Sequence, residues 1–189
     1  EKPVTMGAFG PPIVYSETKK AQEVNLRAAK DRIIECWQEF GNIFGRHYSP
    51  VEYYHSEEAK VLLLTMGSFS ETAMDAIDRM REEGKDVGLI RLRLWRPFPF
   101  DELRRAVKNA DVIIVLDRAI SFGGPGGPVC SEVKAALYNE EKRPKVVSIV
   151  AGLGGRDITV TGFEKIVNRG IEMAQTGSDQ IFEFWGVRE

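Results

Sequence analysis

From Val61 onward, short unbroken apolar runs alternate with stretches whose apolar residues recur every three or four positions. Val61-Leu62-Leu63-Leu64-Thr65, Asp111-Val112-Ile113-Ile114-Val115-Leu116 and Lys145 to Val150 are runs of the first kind, the pattern of strands covered on both faces. Val87 to Trp95 differs. Ile90, Leu92 and Leu94 fall on one side and Arg91 and Arg93 on the other, so one side of that strand is expected to be polar. Helical spacing joins Ala73, Ala76, Ile77 and Met80; Leu103, Val107 and Ala110 after Asp101; Val129, Val133, Ala136 and Leu137 after Pro128; and Phe163, Ile166, Val167 and Ile171. Ser68 with Glu71 and Thr161 with Glu164 have capping-box spacing at two of these helix starts. Successive strand-helix units predict an α/β fold over residues 58–175, a three-layer sandwich with a mainly parallel sheet and right-handed crossovers, followed by a tail over 176–189.

Residues 1–57 follow another pattern. Pro3, Pro11 and Pro12 with Gly7 and Gly10 predict an extended linker to about residue 16. From Thr18 to Phe44, the positions Leu26, Ala29, Ile33, Cys36, Trp37, Phe40 and Phe44 predict a long amphipathic helix, stopped by Gly45. The Tyr-rich segment 48–55 is expected as a loop, with His47 and His55 at the surface.

The 189 residues are 43% hydrophobic and 29% charged, which excludes a disordered or collagen-like chain. Twenty-six basic and 28 acidic side chains leave a net charge of −2. There is no basic field to gather nucleic acid, and no apolar run approaches the ~20 residues that span a bilayer, so neither nucleic acid nor a membrane is an expected partner. Cys36 and Cys130 stand in no metal-ligand spacing and fall on apolar helix faces. Both are expected as buried thiols in a reducing, cytoplasmic compartment. Glu1 opens the chain in place of Met, with no apolar run behind it, so a fragment without a signal peptide is expected.

In a parallel sheet, ligands bind beyond the carboxyl ends of the strands, which directs attention to four loops. Met66-Gly67-Ser68-Phe69-Ser70-Glu71 precedes a helix but lacks a phosphate-loop Lys. Gly123 and Gly124 open the run Gly123-Gly124-Pro125-Gly126-Gly127, which suits close approach of backbone to a phosphate or to another subunit. Gly152-Leu153-Gly154-Gly155-Arg156-Asp157 suggests a dinucleotide fingerprint, except that Asp157 holds the third glycine position. Gly154, Gly155, Arg156 and Asp157 are therefore read as interface or loop candidates, with Arg156 reaching a carboxylate or carbonyl. Arg91, Arg93, Arg96, Arg104 and Arg105 could receive a phosphorylated molecule or form a solvated face. Two loop histidines assemble no Ser/His/Asp constellation, and no catalytic, cofactor or metal residue is assigned.

Several segments together resemble one family: Pro3 to Gly10, Glu39-Phe40-Gly41-Asn42-Ile43-Phe44-Gly45-Arg46, Leu64 to Ser68, Leu94-Trp95-Arg96-Pro97-Phe98-Pro99, Leu116-Asp117-Arg118 and Gly152 to Thr159. They are similar to the carboxyl-terminal half of the alpha subunit of pyruvate synthase, a 2-oxoacid:ferredoxin oxidoreductase, and cover nearly the whole chain. The resemblance implies a transketolase carboxyl-terminal-like domain. It also implies membership of a hetero-oligomer that uses thiamine diphosphate, Mg and [4Fe-4S] clusters to turn a 2-oxoacid and coenzyme A into acyl-CoA and CO2, reducing ferredoxin. The chain has no G-D-G diphosphate motif and no cluster cysteines, so none of these cofactors is expected on it alone; its implied role is assembly and active-site closure. A nucleotide-binding α/β module, and the equivalent domain of a transketolase-like or 2-oxoacid dehydrogenase enzyme, stand as alternatives.

Overall fold

A computed structural model describes residue 7, residues 9–176 and residues 182–188. The Pro3 to Met6 and Ala8 part of the expected linker, and part of the expected tail, lie outside the described residues. The chain divides into two compact units, Glu1–Ser49 with Arg96–Phe98, and Pro50–Trp95 with Pro99–Glu189.

The smaller unit is built on α1 (Pro12–Phe44). It begins six residues before the expected Thr18, because Pro12 occupies the first helical turn, where a missing N–H costs nothing and a fixed φ already suits the helix. Gly45 closes the helix with φ 70° and donates its N–H to the Gly41 carbonyl at 2.8 Å. Phe40 packs on Phe44 and Tyr48, with ring centroids 4.6 and 5.8 Å away. Cys36, expected to be buried, is exposed.

The larger unit holds a six-stranded sheet: β1 (Val51–Tyr54), β2 (Val61–Thr65), β3 (Val87–Leu92), β4 (Val112–Asp117), β5 (Lys145–Val150) and β6 (Glu183–Phe184). Its spatial order is β1-β3-β2-β4-β5-β6, with β1 antiparallel to β3 and every other pairing parallel. The helices are α2 (Phe69–Glu82), α3 (Phe100–Ala106), α4 (Pro128–Leu137) and α5 (Val160–Thr176). Ala73, Ala76, Ile77 and Met80 of α2 join Phe163, Ile166 and Val167 of α5 over Leu63, Ile114 and Ile149. Alternation along the strands turns Leu62, Leu64, Ile113 and Val115 to the other face, and all four are buried. There α4 packs on β4 and β5, and α3 touches α4. The expected three-layer α/β sandwich is the observed fold.

Three expectations differ in detail. The loop expected over 48–55 contains β1, a short edge strand whose polar Glu52 and exposed Tyr53 hide the apolar alternation. Ser68 makes no side-chain cap bond to α2, and Glu71 is drawn instead to Arg91. At α5 the cap is Thr159, whose Oγ1 accepts the Gly162 N–H at 3.1 Å, two residues ahead of the expected Thr161.

Candidate functional site at the carboxyl edge of the sheet

β2 and β4 are neighbours, yet the chain leaves them in opposite directions, through α2 to β3 and through α4 to β5. Their carboxyl ends flank the crevice where such sheets place ligands. Asp117, the last residue of β4, is 2% exposed. Its Oδ1 accepts the Val129 N–H and its Oδ2 the Cys130 N–H, both at 3.0 Å, so one carboxylate caps the start of α4 from twelve residues upstream. A Cβ on Gly127 would overlap that carboxylate, so this position has room for glycine alone. Burial pushes the Asp117 carboxyl above the usual range, against the opposing pull of the two N–H donors. The positive end of α4 is thus satisfied from within, and the preceding glycine run offers no vacant helix terminus to a phosphate. Gly123 and Gly124 lie in a turn closed by the Ser121 N–H on the Gly126 carbonyl at 3.0 Å, with Phe122 displayed at its tip.

The loop after β5 is held by different means. Gly152 has φ 71°, and a Cβ there would meet the Phe69 ring, which itself stands edge-on to Phe163 at 6.0 Å. The Arg118 guanidinium lies over the Phe69 ring itself, 4.1 Å from its centroid. Gly154 and Gly155 sit in a single 3-10 turn with positive φ, not at the start of a helix, so the loop does not form a dinucleotide cradle. Arg156 and Asp157 are both exposed, and Arg156 donates to the Gly186 carbonyl. The segment around β6 is fastened further by the Trp185 N–H on the Val150 carbonyl at 2.9 Å and by Glu183, whose carboxylate takes Arg169 at 2.8 Å. Phe182 packs on Gly126, where a Cβ would come within 2.9 Å. Both glycine-rich loops therefore rest on residues 182–186.

The arginines around β3 do not gather into a phosphate site. Arg91 is 8% exposed, and its Nη2 donates to Glu71 at 2.5 Å. Arg93 makes a two-point contact with Glu52, at 2.5 and 2.8 Å, across the β1–β3 pairing. Arg104 spends its Nε on the Ala136 carbonyl and on Glu140. The side of β3 expected to be solvated is thus neutralised and largely covered, because Glu52 of the unforeseen strand β1 faces it.

The donor set does not fit an iron-sulfur cluster: Cys130 is buried in α4 and Cys36 is exposed on α1, in a different unit. Among the described residues, no three His, Cys, Asp or Glu side chains converge as a metal site. Asp117, the one buried carboxylate among the described residues, is committed to α4. This edge therefore offers recognition groups: backbone at two glycine turns, two guanidiniums and exposed apolar tips. Sequence reasoning missed Asp117; the available signal was an acid ending an apolar strand with Gly127-Pro128 ahead of the next helix.

A mainly parallel sheet flanked by helices on both faces, with glycine turns at its carboxyl edge, defines a three-layer α/β domain. A structure described as a split gene transketolase, inactive beta4 tetramer, aligns with TM-score 0.51 over 69% of this chain and 45% of that one, at 16% identity, a likeness of fold alone. The family described as pyruvate:ferredoxin oxidoreductase core domain II matches residues 59–163, more than half of the chain. The chain belongs to that family. It is 39% identical over 169 residues to the pyruvate synthase subunit PorA of Methanothermobacter thermautotrophicus, covering 89% of this chain and 43% of that protein. It is 33% identical to the PorA of Methanosarcina barkeri, over 100% of this chain and 47% of that protein. It is 36% identical to the ketoisovalerate oxidoreductase subunit VorA of Pyrococcus horikoshii, over 100% of this chain and 48% of that protein. The chain spans somewhat under half the length of these relatives.

Proposed function

We propose that the chain is part of a 2-oxoacid:ferredoxin oxidoreductase that converts pyruvate and coenzyme A into acetyl-CoA and CO2, passing the electrons to ferredoxin. The observation that carries this reading is the 39% identity with a pyruvate synthase subunit along 89% of the chain. Thiamine diphosphate, Mg and [4Fe-4S] clusters belong to the complete enzyme, in a cytoplasmic hetero-oligomer, and are held by other domains or subunits. This chain's part is assembly and closure of the site. Two features support that division: the helix terminus nearest the glycine run is already capped by Asp117, and α1 leaves Ile13, Val14, Tyr15, Val24, Leu26 and Ile43 exposed for another domain or chain to cover. The same cap weighs against a free nucleotide-binding module, and membership of the oxidoreductase family weighs against a 2-oxoacid dehydrogenase.

The chain is 36% identical to a ketoisovalerate oxidoreductase subunit and 33 and 39% identical to two pyruvate synthase subunits, so the choice of pyruvate is the part most in need of test. The intact complex should be assayed for viologen reduction with pyruvate, 3-methyl-2-oxobutanoate and 2-oxoglutarate in the presence of coenzyme A. Pyruvate is expected to give the highest kcat/KM. Turnover of a branched 2-oxoacid without turnover of pyruvate would overturn the substrate, and no turnover of any 2-oxoacid would overturn the class.

A further inference from the structure

We draw no further inference here: the strongest candidate, the exposed Arg118 guanidinium stacked over Phe69 at the crevice between β2 and β4, carries nothing because nothing in the structure shows what covers it.

Discussion

Gly127 and Asp117 fit only as a pair: the buried carboxylate fills the volume that a side chain at residue 127 would take. Gly127→Ala must push Asp117 away from the Val129 and Cys130 amides. We expect a loss of about 1–3 kcal/mol, the usual cost of overpacking, read as a fall in Tm of roughly 2–4 °C per kcal/mol for a chain of this size. An unchanged Tm would show that α4 is capped in some other way.

Burial raises the Asp117 carboxyl, so it binds its proton more tightly in the folded chain than in the unfolded one. Raising the pH through the ordinary carboxylate range and on through the raised value therefore removes stability at this site, and the contribution is fully present only below that window. Denaturant titrations of wild type and Asp117→Asn across acid to neutral pH should show wild type losing ground to the variant as pH rises. The opposite slope would mean that the two N–H donors outweigh burial.

Cys36 is exposed on α1, whereas burial both shields the Cys130 thiol and raises its ionisation above the usual range. A thiolate-trapping disulfide reagent should modify Cys36 rapidly in the folded chain and Cys130 only after denaturant is added. Equal rates for the two would contradict the placement of α4.

Arg156 is exposed, so its bond to the Gly186 carbonyl is a modest fastening, not half of a buried ion pair. Arg156→Ala should cost about 0.5–1.5 kcal/mol, with faster amide exchange concentrated in residues 183–187. A loss of several kcal/mol would point to contacts beyond this bond.

Gly170 faces Ile114, where a Cβ would come within 2.5 Å of its side chain. Gly170→Ala should destabilise by about 1–3 kcal/mol, and Ile114→Val should recover part of that loss by vacating a methyl group. Additive effects of the two changes would indicate that the helix and strand move apart instead.

The buried parallel strands were legible because burial on both faces imposes unbroken apolar runs on β2, β4 and β5, and the inward stripes of α2 and α5 follow from the same covering. The misreadings share a physical origin. Pro12 breaks a helix from inside but opens one at the first turn, so α1 was placed late. β1 is four residues long with Glu52 facing Arg93, and its strand character comes from a partner nearly forty residues away. That unseen partner also made Arg91 and Arg93 read as solvated. Asp117 as a cap was hidden for the same reason, since capping signatures are local and its amide partners lie past a seven-residue glycine-rich turn.

β6 makes early residues depend on late ones. Phe182 seats Gly126, and the Gly186 carbonyl receives Arg156, so neither turn can take its final form during synthesis before residue 186 has left the ribosomal exit tunnel. Both turns are in consequence completed only by residues 182–186, and a chaperone or nascent subunit arriving earlier meets them unfastened.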